Sequence, residues 1–339
     1  MLLPGNVNVW RQTYTLIIKT IGMNQLVKGV PSVEQLLMTL SAVGYMPAHS
    51  LSTLQVNLNK VEFLEQAYTA VWWGGNNTIF AFLVRNNFTE DYTLVIRGPM
   101  FKFGLSMLFN LYEDLDVARQ VSLPYSRLGE AKIAAGVLEM AQGINDLIYA
   151  GRTLLQVITK LPIHTKLYAT GHSLGGALAA VYAAKASCNN LNELEIIPYT
   201  FGAPAVGNKA FADLFNAVHV NCLFTQSLRC ENTDDVIPHI WSNLPNIATI
   251  DYENVRLPAE LSLCIECIER MLILSKVFYV QPRAQLQLKT ENDRFETFFR
   301  EAMYQHQPNT YLTLLGLDPI NSAEFSYHQR REVTIAESL

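Results

Sequence analysis

The chain has 339 residues, of which 50% are apolar and only 16% charged. Its 25 basic and 30 acidic side chains leave a formal charge of −5. That length and apolar content allow one large domain or two ordinary ones and exclude a disordered chain. The acidic balance and the lack of a long basic run argue against a protein built to neutralise phosphate backbones, so no nucleic-acid partner is expected.

Met1-Leu2-Leu3-Pro4-Gly5-Asn6 has neither a cationic n-region nor a small-residue cleavage pattern. The expectation is a cytoplasmic protein, or one exported without a cleaved N-terminal signal. Residues 1–70 read as mostly helical, with Val61, Leu64 and Tyr68 on one stripe. Ile79–Val84 and Tyr92–Ile96 are β-branched and aromatic runs separated by turn formers, and read as two adjacent strands.

The segment Gly98–Gly129 crowds Met100, Phe101, Phe103, Leu105, Met107, Leu108, Phe109 and Leu111 ahead of the acidic Glu113-Asp114-x-Asp116. It reads either as a buried helix or as a lid whose greasy face covers a pocket or meets a lipid surface. Residues 131–159 carry a long helical pattern. The apolar, uncharged run Leu167–Ala184 contains Gly171, Ser173, Gly175 and Gly176, so it fits a strand, a tight turn and a helix rather than a membrane span. Ile196–Thr200 and Leu223–Leu228 are further strand candidates, with a helix predicted over Lys209–Val218 between them. Leu261–Tyr279 and Asp293–Tyr304 read as helices.

Strands alternating with helices predict an α/β fold with a mostly parallel central sheet covered by helices on both faces. The expected organisation is a helical extension over 1–60, one α/β domain over 61–319 with a lid at about 99–129, and a polar tail over 320–339. The five cysteines are sparse and odd in number. Cys264-x-x-Cys267 lacks a second ligand pair and reads as two cysteines one helical turn apart, so no metal and no cofactor is expected.

Gly171-His172-Ser173-Leu174-Gly175 is a G-x-S-x-G pentapeptide. A strand pattern runs in and the strong helix formers Gly176–Ala184 run out, the setting that a nucleophile elbow requires. There the serine hydroxyl stands above the sheet at a helix N-terminus, which favours negative charge.

Serine at neutral pH needs a base, and the base needs a carboxylate that holds its tautomer. Asp234-Asp235 follows a candidate strand, whereas Asp213 sits in a helical pattern and Asp251 in an irregular region. Of the seven histidines, His49 and His164 precede the serine and His172 lies inside the turn. His219 precedes the candidate acid, and His239 follows it by only four residues. His306 and His328 remain, and His306, which ends a helical stretch before Gln307-Pro308-Asn309, is preferred.

Three segments resemble the class 3 lipases, the fungal-type triacylglycerol lipase group: Ala169–Ala179 around the serine, Thr200-Phe201-Gly202-Ala203-Pro204-Ala205-Val206-Gly207-Asn208, and Asp235-Val236-Ile237-Pro238-His239. Ile96-Arg97-Gly98 is similar to that family's strand end before its lid. The resemblance covers about residues 60–315 and implies an α/β-hydrolase that cleaves acyl esters. It implies Ser173 as nucleophile, Asp235 as triad acid and His306 as base, with an acyl-ester lipid as substrate and transient contact of the lid with a lipid surface. A phospholipase or acyltransferase, or a hydrolase-fold module that binds lipid or protein, are the alternatives.

One position departs from the family's pattern. Ser or Thr usually follows Arg-Gly and gives an N–H to the oxyanion hole, but Pro99 stands here and has none. Leu174 is then expected to supply one donor and Met100, or Gly98 through a shifted loop, the other. The family's histidine after the lid is also missing, with Ile133-Ala134-Ala135-Gly136 in its place.

Overall fold

The structure, a computed structural model, describes residues 31–76, 78–98, 104, 107–123, 130–189, 191–215, 226–250, 252, 255–290 and 295–320. Seven strands form its main sheet in chain order: β1 (Tyr68–Gly75), β2 (Phe80–Asn86), β3 (Tyr92–Arg97), β4 (Lys166–His172), β5 (Glu195–Phe201), β6 (Leu228–Asn232) and β7 (Leu286–Leu288). β1–β2 and β2–β3 pair antiparallel, and every later pair is parallel. The turn between β2 and β3 is held by Asn86, whose side chain accepts the Phe88 and Thr89 amides.

The parallel strands are buried on both faces, as crossover helices require. One face carries α2 (Met107–Asp114), α3 (Ala135–Gly143), α4 (Leu174–Cys188) and α5 (Ala259–Leu274) over the core residues Ile96, Leu167, Ala169 and Val181. The other carries α1 (Val33–Val43) and α7 (Pro308–Leu314) over Phe82, Val95, Phe201 and Cys230. α1 starts on a capping box, in which Ser32 and Gln35 each accept the other's amide. It packs on the main sheet, so the segment around it is part of the second core rather than an appendage. α6 (Phe298–His306) precedes α7.

Several elements differ from the sequence pattern. The stretch 131–159 is not one helix. It is the strand Lys132–Ala134, α3, a 3-10 turn at Ile144–Asp146, a hairpin of Ile148–Tyr149 with Arg152–Thr153, and the helix Leu154–Ile158. Ala150 (φ 49°) and Gly151 (φ 74°) make the hairpin turn, a left-handed backbone that no helix contains. The strand expected over 223–228 runs over Leu228–Asn232, and 221–225 lie outside the described residues. Arg229 and Glu231 alternate in that strand as a mostly buried ion pair at 2.6 Å, so the hydropathy pattern does not reveal it. Within 31–70 the helical reading holds at Val33–Val43, Leu51–Asn59 and Glu62–Glu65, but the stripe from Val61 stops short because Tyr68 already belongs to β1. α5 stops at Leu274, ahead of Lys276 at φ 56°.

In the expected lid, α2 turns Met107, Leu108 and Leu111 into the core, and α2 packs against α5. Residues 99–103, 105–106 and 124–129 of that segment lie outside the described residues, as do 321–339 of the expected tail. No helix among the described residues is long and apolar enough to cross a membrane.

Candidate active site

β4 carries Gly171 and His172 to the edge of the core, and the Ser173 amide closes the strand on Phe201 O at 2.9 Å. Ser173 itself has φ 60° and ψ −137°, a conformation that L-residues rarely adopt and that costs on the order of 1–3 kcal/mol. Its carbonyl then accepts the Gly176 and Ala177 amides and starts α4. A Cβ on Gly175 would lie 2.2 Å from Ile96 O, and one on Gly171 would lie 2.4 Å from the same atom. Glycine is therefore required on both sides of the serine, because the turn is pressed against the end of β3.

The acid comes from the end of β6. The Asp235 amide turns back on Asn232 O, and its carboxylate is fully buried. Oδ1 accepts the Ile237 amide at 2.9 Å, and Oδ2 accepts both His306 Nδ1 at 2.7 Å and the Tyr311 hydroxyl at 2.8 Å. Asp234 faces elsewhere and accepts the Thr290 amide and hydroxyl.

His306 is the last residue of α6, and the following Pro308 opens α7. Its Nδ1–H is the donor, since the carboxylate can only accept, so Nε2 is left to accept from Ser173 Oγ at 2.7 Å. The helix end is tied to the strand end through buried amides. Asn232 Nδ2 donates to Gln305 O and Oε1, and Gln305 Nε2 donates to Glu301 at 2.6 Å.

Ser173, Asp235 and His306 thus meet from three elements. Of the other histidines, His49 and His164 are exposed, His239 faces Asn246, and His219 and His328 lie outside the described residues. Leu174 is the first residue of α4, and its N–H is among the first-turn amides that a helix leaves without an intrahelical partner. Gly98 abuts it, since a Cβ on Gly98 would lie 3.0 Å from Leu174 Cβ. Pro99 and Met100 lie outside the described residues.

Sequence patterns do not mark two tyrosines of this site. Tyr311 bridges Asp235 and the Asn232 amide. Burial, and then the Asp235 charge, push its hydroxyl well above the usual tyrosine range, which keeps it a donor. Tyr45, just beyond α1, reaches Nδ1 of His172 at 3.0 Å. Only the fold brings either residue here, Tyr45 from 127 residues away. A cavity lined by Ala177, Thr200, Ala203, Arg229 and Gln285 does not include Ser173, Asp235 or His306. Among the described residues, no three His, Cys, Asp or Glu side chains are grouped to share a metal ion.

Residues 102–244 match the family described as lipase (class 3). A lipase of Caenorhabditis elegans, ZK262.3, is 39% identical over 75 residues, which are 22% of this chain and 20% of that protein. The phospholipase A1-II 1 of Oryza sativa is 37% identical over 81 residues, 24% of this chain and 19% of its own length. The triacylglycerol lipase OBL1 of Arabidopsis thaliana is 32% identical over 97 residues, 27% of this chain and 18% of its own length. The matches thus span about a fifth of each of these relatives. The crystal structure of M37 lipase superposes with a TM-score of 0.70 over 84% of this chain and 93% of that one at 22% identity, which shows a shared α/β-hydrolase fold.

Proposed function

We propose that the chain is a serine hydrolase of the class 3 lipase type, cleaving carboxylic esters of acyl lipids; the match of residues 102–244 to that family supports the reading. The observation that carries this reading is the continuous relay from Ser173 Oγ to His306 to Asp235, both links at 2.7 Å, at a strained strand-to-helix turn. In the proposed reaction, His306 Nε2 takes the Ser173 proton as Oγ attacks the ester carbonyl. Asp235 holds the Nδ1–H tautomer and balances the imidazolium. The oxyanion is met by the Leu174 N–H and by a second donor from residues 98–100, Met100 being the candidate. The imidazolium returns the proton to the departing alcohol, and water then releases the acyl group from Ser173 by the same steps in reverse.

The apolar segment around α2 is the proposed lid and the part that contacts a lipid surface. Relatives named as phospholipase A1 and as triacylglycerol lipase leave the headgroup to experiment. Turnover of p-nitrophenyl butyrate and palmitate by wild type and Ser173→Ala tests the chemistry, and equal turnover by the two proteins removes Ser173 from it. Product analysis on triacylglycerol and phosphatidylcholine, with and without an acceptor alcohol, separates lipase, phospholipase and acyltransferase. Intact folding with no fluorophosphonate label on Ser173 favours the binding-module alternative.

A further inference from the structure

His172 precedes the serine, is 2% exposed, and takes no part in the relay. Its ring lies against His306 at 4.5 Å between centroids and 36° between planes, with the Tyr311 ring edge-on at 5.4 Å. On its other side Tyr45 stands edge-on at 5.7 Å, its hydroxyl 3.0 Å from His172 Nδ1 and 3.4 Å from the His172 carbonyl. Nε2 is buried with no hydrogen-bond partner among the described residues, and the main chain of His306 is the backbone group that acts on the ring.

We propose that Tyr45 and His172 are positioning residues for His306: Tyr45 sets the His172 tautomer, and the His172 ring fixes the plane of the His306 imidazole between Asp235 and Ser173. The proposal rests on the hydrolase reading above.

The tautomer follows from proton counting. The single Tyr45 proton goes to the nearer acceptor, Nδ1 at 3.0 Å rather than the carbonyl at 3.4 Å. Nδ1 is then bare, and the ring proton sits on Nε2, toward the His306 main chain. In the opposite tautomer Nδ1–H would donate to the phenol oxygen and the phenol would donate only the long bond to the His172 carbonyl, while a bare Nε2 lone pair would be turned on the His306 main chain.

The ring must also stay neutral, because a second imidazolium beside His306 would oppose the charge that His306 acquires. Burial, reinforced by His306, holds His172 well below the usual histidine range. The charged groups nearby are Arg97, which acts on Tyr45, and Asp235, bound to Tyr311. Two hydrogen bonds alone leave the His306 ring free to rock about the Asp235–Ser173 axis, and the flat face of His172 removes that freedom. Tyr45 comes from outside the 102–244 segment, so the α1 region is read as part of the catalytic apparatus.

Full-length protein labelled with [15N]histidine tests the tautomer directly. A long-range 15N–1H correlation spectrum should show His172 with a bare Nδ1 and a protonated Nε2; a protonated Nδ1 overturns the proposal. In Tyr45→Phe, kcat on p-nitrophenyl butyrate should fall about tenfold, by analogy with the low end of what outer partners of metal-bound histidines contribute, with KM within about twofold and a melting temperature lowered by only about 2–4 °C for the lost buried hydrogen bond. An unchanged kcat, or an effect confined to KM, overturns it. Absence of fluorophosphonate labelling at Ser173 in wild type would instead overturn the hydrolase reading, while the tautomer remains readable in the same sample.

Discussion

Tyr311 donates its hydroxyl to Oδ2 of Asp235, the same oxygen that accepts Nδ1 of His306. The carboxylate is fully buried, and its other oxygen is held by the Ile237 amide. Fixed this way, Asp235 presents one oxygen in one direction to the imidazole. Tyr311 in turn accepts the Asn232 amide at 3.1 Å, so one phenol aligns both the acid and the strand end that carries it.

Tyr311→Phe removes both bonds and leaves the ring in place. Stability should fall by about 1–3 kcal/mol, because a buried amide loses its acceptor and a buried charge loses a donor. kcat should drop several-fold with little change in KM. Urea unfolding and steady-state kinetics on a soluble ester check the two effects, and wild-type values in both would remove Tyr311 from the site.

Asp235→Asn keeps the shape but presents an amide where His306 Nδ1–H needs an acceptor. The imidazole then turns or takes the other tautomer, and Nε2 no longer accepts from Ser173. The expected loss in kcat is about 10³–10⁴, by analogy with the same change in a serine protease triad. A loss below about tenfold means that another carboxylate does the work.

Gly175→Ala tests the packing of the turn. The new Cβ would meet the Ile96 backbone O at 2.2 Å, and no side-chain rotation can relieve it, so either β3 or the start of α4 must move. Destabilisation of about 2–3 kcal/mol is expected, with loss of fluorophosphonate labelling as Ser173 and Leu174 shift together. Denaturant unfolding and probe labelling of the same preparation measure both.

Stability should fall on either side of neutral pH. Burial lowers His172 and His239 from the ordinary 6.5, so each takes up a proton less readily in the fold than in the unfolded chain as the pH drops below that value. The unfolded state then binds more protons, and stability declines with falling pH by at most about 1.4 kcal/mol per unit for each group. Burial pushes the Cys230 thiol up from 9.0 to about 12, so on the alkaline side the fold keeps a proton that the unfolded chain loses, and stability declines as the pH rises past about 9. Urea midpoints at pH 5.5, 7.5 and 9.5 should be highest at 7.5. His172→Phe should flatten the acid side, and an unaltered acid slope in that variant would rule His172 out as a source.

The elbow was readable along the chain because its requirements are local: a strand, two glycines that cannot carry a Cβ, a serine and a helix former, all within a dozen residues. Asp235 and His306 were readable as candidates because they follow a strand end and a helix end in the expected order. The edges of the elements were less legible. Glycine and left-handed residues cut the 131–159 periodicity into short pieces, and the Arg229–Glu231 pair hid β6 behind polar side chains.

Residue types and their local spacing therefore determine that this chain can build a strained serine turn with an acid and a histidine downstream. Only the tertiary structure decides which acid oxygen, which tautomer and which supporting rings surround it. Those choices are made by sheet register, which sets Phe201 beside both His172 and Cys230, and by the second core, which holds α1, just ahead of Tyr45, and α7, which carries Tyr311, on one face. Hydrogen bonds between residues 70–130 positions apart leave no periodic trace in a sequence, because each depends on closing a loop whose ends are matched by packing rather than by pattern.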